Sequence, residues 1–191
     1  PEELPLNKHW SWDRILRSCF IKQADVIQAF YFLPERFDLE CKKRNFDFYE
    51  PRTVHESSLS PCIHSIVASN IGYHDKAYEL FLRSSRLDLE NCNDDTDEGI
   101  HLTSMAGNWL AIVLGFAGIA VKNSKFTLDP YLPKAWESYS FKLTFRGRRL
   151  GITVCKDHIK IKQFSGDPLS IYVREKEYYS SKEKSLSIKL V

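Results

Sequence analysis

The chain has 191 residues, of which 43% are hydrophobic and 27% charged, values typical of a folded globular protein, so wholesale disorder is excluded. No apolar run approaches the ~20 residues that a membrane-spanning helix needs, and no signal-peptide pattern opens the sequence. The net charge of +2 conceals an uneven distribution. Residues 1–121 carry 12 basic against 18 acidic side chains, whereas residues 122–191 carry 15 against 7, which predicts two kinds of structure in one chain.

The five cysteines are an odd number, form no CxxC pair and are never closer than 21 positions. This spacing fits neither a disulfide framework nor a zinc site, so we expect a cytoplasmic protein without a structural metal. The chain also starts at Pro1 without a methionine and enters core-like sequence quickly. That beginning predicts a piece of a larger protein.

Helical periodicity dominates the first 121 residues and predicts helices over residues 23–33, 60–71, 74–86 and about 103–121. Ser60 and Pro61 are typical of a helix start, as a capping hydroxyl followed by a proline at the first helical position. Gly72 ends that helix, and the next one would form a helical hairpin with it. The last helix is apolar nearly all round, so we expect it to be deeply buried.

From residue 122 onward the hydrophobic period changes from 3.6 to 2. Residues 138–146 alternate apolar and polar side chains, and a turn at 146–149 leads into a second alternating run. Further short strands are predicted at 159–161, 169–173 and 186–190. Together they indicate an antiparallel meander of roughly five or six strands with Lys and Arg on its wet face. Helices followed by strands predict an α+β fold divided into residues 1–121 and 122–191.

Several catalytic signatures are absent from the sequence. It contains no GxGxxG, P-loop, nucleophile-elbow or EF-hand pattern. His55 and Glu56 begin like a zinc-protease motif, but the second histidine one helical turn later is missing, which excludes a metalloprotease of that type. The aromatic residues of the basic strands fall at inward positions, where they are core rather than stacking platforms for bases. This pattern disfavours nucleic-acid binding.

Two polar clusters are denser than ordinary connectors require. Lys22 and Gln23 stand at the entrance of an apolar helix and offer donors and an acceptor suited to sugar hydroxyls or an anion. Residues 49–61 place His55 among hydroxyls and carboxylates, a combination suited to polyol recognition or acid–base work. The alternative for the first cluster is an exposed helix turn, and for the second a capped loop.

A third cluster precedes the last predicted helix. An acidic run over 91–98 ends at Gly99, and His101, Thr103 and Ser104 follow at the helix start. The exposed amides of a helix N-terminus, beside a histidine and hydroxyls, form a ready phosphate site. A calcium loop fails the EF-hand spacing, and a solvated acidic loop with a helix cap is the remaining alternative.

In this order the three clusters resemble the disaccharide phosphorylases of glycoside hydrolase family 65. The resemblance runs from about residue 8 to 155 and rests on these segments: IKQADV at 21–26, FYEP at 48–51, TVHESSLSP at 53–61, RSSRLDL at 83–89, EGIH at 98–101, SMAG at 104–107, GFAG at 115–118 and LPKAW at 132–136. Several ordered motifs make it more specific than one pattern would. Within the family the sequence looks most like the maltose phosphorylases, with the trehalose, kojibiose and nigerose phosphorylases close behind.

The resemblance implies an enzyme of three parts: a β-sandwich, a central (α/α)6 barrel and a C-terminal β-sheet domain. This chain matches the closing helices of the barrel, over 1–121, and the sheet domain, over 122–191. The family's general-acid glutamate belongs to an earlier barrel segment, so neither Glu56 nor Glu98 is given that role. We therefore expect this chain alone to be inactive and to expose apolar helix surface that a complete barrel would cover.

The implied reaction is the inverting phosphorolysis of maltose to β-glucose 1-phosphate and glucose, with phosphate in place of a hydrolase's water. By resemblance, Lys22 and Gln23 contact the glucosyl unit, and His55 lines the same pocket or lies behind it. The residues implied in phosphate binding are Gly99, His101 and Ser104. Phosphate is a co-substrate, and no cofactor, metal, nucleic acid or membrane is expected. The implied partners are the remainder of the enzyme chain and, for the full-length enzyme, a second copy in a cytoplasmic homodimer.

Two other functions stay open on the sequence. A hydrolase of the same family would need a carboxylate base to activate water at the place where a phosphorylase holds phosphate. A non-catalytic carbohydrate-binding or assembly module would fit a natural chain of 191 residues.

Overall fold

A computed structural model describes residues 6–55, 57–92, 94 and 96–190. The chain divides into two compact units, a helical unit up to Ala111 and a sheet unit from Ile112 onward. The α-helices described in the helical unit are α1 (Trp12–Leu16), α2 (Asp25–Phe32), α3 (Leu39–Tyr49), α4 (Ser60–Asn70), α5 (His74–Ser85) and α6 (Leu102–Leu110). Helices followed by strands confirm the α+β class. The division into residues 1–121 and 122–191 stays a prediction.

The helical hairpin predicted from glycine and proline signals is present. α2 ends at Phe32, just before Pro34, because the residue preceding a proline is disfavoured in the helical region. α4 and α5 pack together across a turn at Gly72, whose φ of +85° lies in the left-handed region. The Ser65 hydroxyl of α4 donates to the Ala77 carbonyl of α5 at 2.7 Å, which ties the two helices at their buried faces.

The predicted cap of α4 is wrong. Leu59 is the N-cap residue, and it makes no side-chain capping bond. Ser60 is the first residue of the helix, and its buried hydroxyl lies 2.9 Å from Nδ1 of His55. Pro61 does stand in the first turn, as predicted. The Ser60 hydroxyl therefore contacts an imidazole instead of a helix amide, because the preceding loop brings His55 back onto the helix start.

The predicted helix over 103–121 is wrong in length and in burial. α6 ends at Leu110 and continues as a wider π-helical segment over Ala111–Phe116, and the chain becomes extended at Ala120. Gly118 permits this change, because its φ is +57° and a Cβ there would lie 2.6 Å from the Asp129 carbonyl oxygen. Large apolar side chains of α6 that are more than one-third exposed are Leu102 (70%), Met105 (38%) and Trp109 (47%). These side chains provide the uncovered apolar helix surface expected from the sequence.

Replacing Gly107 with alanine is expected to lower the free energy of unfolding by about 1–2 kcal/mol. The new Cβ would lie 2.5 Å from Sγ of Cys62, and overpacking of this kind costs more than the ~1 kcal/mol that alanine gains in helix propensity. Urea unfolding followed by tryptophan fluorescence measures the change. Adding Cys62→Ala should restore part of the loss, and Ala106→Ser, at the exposed neighbouring position, should change stability by less than about 0.5 kcal/mol. An unchanged G107A variant would contradict the close α4–α6 contact.

The sheet unit contains eight strands among the described residues: β1 (Ala120–Lys122), β2 (Lys125–Leu128), β3 (Ser138–Phe145), β4 (Arg148–Cys155), β5 (His158–Ser165), β6 (Leu169–Val173), β7 (Lys176–Ser180) and β8 (Leu186–Lys189). They form two four-stranded sheets, ordered β1-β2-β6-β7 and β3-β4-β5-β8. The expected small, mostly antiparallel sheet domain is present, but the single meander is corrected: there are two sheets, and β2 pairs with β6 in parallel. Two facing layers bury apolar side chains that one sheet would leave wet.

The core of the sheet unit combines both sheets and the π-helical segment. Phe126 of β2 and Phe145 of β3 lie 4.7 Å apart between ring centroids, so the two sheets share one core. The fully buried Phe116 ring contacts three aromatic rings at 5.4–6.5 Å, those of Tyr131, Trp136 and Tyr139. Among the described residues, the helices lack the combination of length and hydrophobicity that a membrane span requires.

The predicted wet face of the sheet unit carries exposed lysines. Lys142, Lys160 and Lys162 are exposed on β3 and β5. Phe164 departs from the inward pattern of the aromatic residues: it is 42% exposed. Its ring packs over Gly151, where a Cβ would lie 2.8 Å from Cε2 of the ring. Glycine is therefore needed on β4 to admit the aromatic ring.

Candidate substrate and phosphate site

The structure brings the first two polar clusters together. Ile21 pairs with Thr53 in an isolated parallel bridge: the Ile21 N–H donates to the Arg52 carbonyl at 3.0 Å, and the Val54 N–H donates to the Ile21 carbonyl at 2.9 Å. Lys22 therefore follows directly on a residue that is bonded to the segment leading into His55. Backbone pairing of this kind fixes the two clusters relative to one another.

The side chains of the first cluster lie at the surface of the helical unit. Lys22 is exposed, and its ammonium lies 4.9 Å above the Trp12 ring, a cation–π contact. The Gln23 side-chain amide donates to Oδ1 of Asp25 at 3.3 Å. Both side chains are accessible, which a direct contact with a sugar requires.

His55 is the most constrained residue of the second cluster. It is 5% exposed and has φ +55°, a left-handed conformation that is uncommon for a residue other than glycine. Its ring packs edge-on against the ring of His64 at 4.7 Å, and its carbonyl accepts a hydrogen bond from Nη2 of Arg83 at 3.4 Å. Contacts with Ser60, His64 and Arg83 thus hold a strained backbone in place.

A cavity of about 480 Å³ lies beside His55. Its lining is polar and charged at Glu50, Arg52, Thr53, His55, Lys76 and Arg83, and apolar at Leu6, Phe20, Pro51 and Val54. Nζ of Lys76 lies 2.9 Å from Oε1 of Glu50 and 3.0 Å from Oε1 of Glu79. Burial acts against the charge of Lys76, but the hydrogen bonds that its ammonium donates to the two carboxylates outweigh burial and raise the pKa of Lys76. The described residues that line this cavity do not include Lys22, Gln23 or His101.

The third cluster is organised around a carboxylate that the sequence reasoning missed. Oδ1 of Asp88 lies 2.6 Å from Nδ1 of His101, and Oδ2 of Asp88 accepts from the His101 backbone N–H at 3.0 Å. These hydrogen bonds lower the pKa of the Asp88 carboxyl. A carboxylate on Nδ1 places a proton on that nitrogen and orients the imidazole. Asp88 lies within the RSSRLDL motif, and that motif was the sequence signal that could have revealed it.

The other two residues implied in phosphate binding already have partners. Ser104 is fully buried in α6, and its hydroxyl lies 3.1 Å from the Ser84 hydroxyl of α5. The Gly99 N–H donates to the Thr96 carbonyl at 3.1 Å, and Gly99 has φ +120°. In the structure Asp88 therefore holds His101, and the Ser104 hydroxyl joins α6 to α5. The phosphate roles of Gly99, His101 and Ser104 stay predictions.

His64 is a second polar residue that the sequence reasoning passed over. It lies in the apolar pattern of α4 and is completely buried. Nδ1 of His64 lies 3.0 Å from the Ser60 carbonyl, and Nε2 lies 3.3 Å from the Thr53 hydroxyl. Burial is the largest cause that lowers the pKa of His64, to about 4, and that of His55, to about 2.

The two buried histidines are expected to make the protein less stable in mild acid. Their folded pKa values of about 4 and about 2 lie below the ordinary 6.5, so the unfolded chain binds protons first as the pH falls below 6.5. Stability is therefore unaffected above about pH 7 and declines between pH 6.5 and 4, by up to about 1.4 kcal/mol per pH unit for each histidine.

Urea unfolding at pH 7.5, 6.5 and 5.5 measures this decline. His64→Asn should flatten the pH dependence, whereas His158→Asn, at a half-buried position in the sheet unit, should leave it unchanged. Equal slopes for the parent and H64N proteins would contradict the assignment of a neutral buried His64.

Among the described residues no group of three His, Cys, Asp or Glu side chains is arranged to hold a metal ion. The five cysteines are free thiols, and burial raises the pKa of Cys62. Glu56, one of the two glutamates that were not given the acid role, lies outside the described residues, as does the side chain of Glu98.

Comparison with known proteins settles the family. The glycosyl hydrolase family 65 central catalytic domain matches residues 1–110, more than half of the chain, and the C-terminal domain of family 65 matches residues 119–179. The chain belongs to glycosyl hydrolase family 65. The resemblance drawn from the ordered motifs is thereby confirmed.

The curated relatives of the chain include several disaccharide phosphorylases. Maltose phosphorylase of Bacillus subtilis (strain 168) is 52% identical over 175 residues, which are 92% of this chain and 23% of that protein. α,α-Trehalose phosphorylase of Thermoanaerobacter brockii is 40% identical, with coverages of 92% and 23%. Kojibiose phosphorylase of Halothermothrix orenii is 41% identical, with coverages of 84% and 20%.

A solved structure from the human microbiome, named for kojibiose phosphorylase, matches with a TM-score of 0.90. Its sequence identity is 44%, and the match covers 99% of this chain and 25% of that one. The chain thus spans about a quarter of the length of the relatives it matches.

Proposed function

We propose that this family 65 chain forms the glucose- and phosphate-binding part of a phosphorylase that acts on maltose. The observation that carries the proposal is the pairing of the first two clusters: Ile21, next to Lys22, is bonded to the segment before His55. In the third cluster, Asp88 holds His101. The relatives are named for phosphorolysis of disaccharides, and the 52% identity to maltose phosphorylase, against 40% and 41% to the trehalose and kojibiose enzymes, favours maltose.

In the proposed reaction an oxygen of phosphate attacks the anomeric carbon of the glucosyl unit as the bond to the leaving glucose breaks. A general acid outside this chain gives its proton to the leaving oxygen, and inversion makes the product β-glucose 1-phosphate. In this proposal the residues of the chain position the two reactants and do not transfer the proton. Lys22 and Gln23 bind the glucosyl hydroxyls, and His101 binds phosphate. Holding two polar reactants in line supplies a large share of such a rate enhancement.

The remaining predicted residues have more distant roles in this proposal. Gly99 shapes the turn before α6, because its φ of +120° suits glycine. Ser104 supports the start of α6 through its contact with Ser84. The proposal keeps a cytoplasmic homodimer as the full-length enzyme, with phosphate as co-substrate and the rest of the enzyme chain as partner. The isolated chain is then inactive.

The test is a product assay on the full-length enzyme with maltose, with and without inorganic phosphate. Phosphate-dependent formation of glucose 1-phosphate, with the β configuration by proton NMR, is the expected result. Equal release of glucose with and without phosphate would overturn the assignment as a phosphorylase and indicate a hydrolase of the same family. Trehalose, kojibiose and nigerose serve as matched substrates, and a higher kcat/KM for any of them than for maltose would overturn the choice of substrate.

A further inference from the structure

A continuous polar network crosses the interior of the helical unit behind the second cluster. The Thr53 hydroxyl donates to the Tyr49 carbonyl at 2.7 Å and lies 3.3 Å from Nε2 of His64. Nδ1 of His64 lies 3.0 Å from the carbonyl of Ser60, and the hydroxyl of Ser60 lies 2.9 Å from Nδ1 of His55. The four side chains of the network are 0–9% exposed. Buried polar groups joined in this way specify one arrangement of the chain.

The hydrogen-bond partners decide where the proton of His64 sits. A carbonyl oxygen only accepts, so Nδ1 of His64 carries the proton and donates to Ser60. Burial lowers the pKa of His64 to about 4, so the ring is neutral at pH 7 and Nε2 carries a lone pair. The single proton of the Thr53 hydroxyl therefore faces two acceptors, the Tyr49 carbonyl and Nε2 of His64. His64 thus bonds Thr53 and Ser60, which lie on either side of His55 in the sequence.

The loop between these two anchors contains the strained residue. His55 has φ +55°, and such a conformation persists only where the surroundings over-determine it. Its ring is held by Ser60, which His64 fixes in turn, and the same ring packs edge-on against His64. At the other end, Thr53 is the residue that pairs with Ile21, next to Lys22. The network thus connects His55 and Ser60 with the first polar cluster.

We propose that His64 is a positioning residue: through Thr53 and Ser60 it holds His55 and the backbone that pairs with Ile21, and so fixes the place of Lys22 at the glucosyl unit. The proposal rests on the proposed function, in which Lys22 binds the glucosyl hydroxyls. His64 itself touches neither reactant, because it is completely buried. His55 then acts through the backbone of the loop, as part of the support behind the site.

Conservative variants of the full-length enzyme separate the two halves of the network. In His64→Asn the side-chain amide can still donate to Ser60 but does not reach Thr53, whereas in His64→Gln the amide oxygen can accept from Thr53. Thr53→Val and Ser60→Ala remove one hydroxyl each with little change of volume. His74→Asn, at an exposed position on α5, is the matched control. Each variant is assayed with maltose and phosphate, and its concentration of folded enzyme is measured by cooperative urea unfolding.

The expected result is a loss in catalysis that exceeds any loss of folded protein. Thr53→Val, Ser60→Ala and His64→Asn should each raise KM for maltose roughly tenfold, as expected when a hydrogen bond that positions a binding residue is lost. H64Q should recover part of this loss, and the double variant H64N/T53V should lose less than the sum of the two singles on a logarithmic scale. His74→Asn should match the parent enzyme.

One possible result would contradict the positioning role of His64, and another would contradict the proposed function. Unchanged kcat and KM per folded enzyme in T53V, S60A and H64N, with only the urea midpoint lowered, would reduce His64 to a structural core residue. A parent enzyme that forms glucose without phosphate would overturn the proposed function instead. Because Ser60→Ala and Thr53→Val empty little space, these variants decide the question even if substitutions of His64 fail to fold.

Discussion

Replacing His101 with alanine in the full-length enzyme is expected to lower kcat/KM for phosphate about 100-fold or more, the usual effect of removing a preorganised donor to an anion. The preorganisation is visible in the structure: one carboxylate, Asp88, holds the ring at 2.6 Å and the backbone N–H of the same residue at 3.0 Å. The imidazole is therefore in place before phosphate arrives. Initial rates at varied phosphate and saturating maltose measure the loss.

Two further variants give this prediction its controls. Asp88→Asn keeps the size of the side chain but removes the charge-assisted acceptor of Nδ1–H, so roughly a tenfold loss in kcat/KM is expected. The sheet unit has a matched pair, in which Nδ1 of His158 lies 2.6 Å from Oδ1 of Asp157, and His158→Ala should leave phosphate kinetics unchanged. If H101A binds phosphate as the parent does, the assigned phosphate role of His101 is wrong.

The 191-residue chain on its own is expected to form no detectable glucose 1-phosphate from maltose and phosphate. In the proposed reaction the general acid lies outside this chain, and general acid catalysis alone contributes about 10²–10⁴-fold. The exposed Leu102, Met105 and Trp109 of α6 add a second reason, because uncovered apolar surface favours association over a well-formed site.

The assay compares equal molar amounts of this chain and of the full-length enzyme, with discontinuous detection of glucose 1-phosphate. Size-exclusion chromatography of the same samples reports whether the isolated chain associates through its apolar surface. Phosphate-dependent turnover by the isolated chain above one-tenth of the full-length rate would show that an acid within these residues serves the reaction, because loss of the acid costs at least about 100-fold.

Patterns local in sequence predicted much of the helical unit. Gly72 and the apolar spacing on either side of it were enough for the α4–α5 hairpin, because turn glycines and helical periodicity act within a few residues. The same reasoning failed after Leu110. There the apolar pattern continues through Phe116, but the chain leaves the helix at Gly118, and only the nearby carbonyl of Asp129 shows why a glycine is required.

Strand alternation indicates which side chains point inward but does not choose the partner of a strand. Leu150, Ile152 and Ile161 are buried as their alternation predicts. The parallel pairing of β2 with β6 joins Phe126 to Ile171, 45 positions apart in the sequence, and no local signal marks it. β7 was missed because Lys176 and Glu177 are exposed, which hides the period of two.

Local sequence patterns were also insufficient to predict the whole candidate site. The three clusters were found from their composition, but the residues that hold them were not. Asp88 lies 13 positions before His101, and His64 is a polar residue within an otherwise apolar helix pattern. Their importance rests on hydrogen bonds that form only when the loops fold against the helices, so the side chains that position a site are harder to predict than those that face a ligand.

The bridge between Ile21 and Thr53 has a consequence for exchanging segments among family 65 enzymes. Ile21 and Thr53 are 32 positions apart in the sequence, and their two stretches share backbone hydrogen bonds, so neither stretch keeps its shape if the other is replaced by a foreign sequence. A chimera intended to transfer substrate preference should therefore carry residues 21–25 and 48–61 as one cassette, together with the histidine of α4 that supports the second stretch.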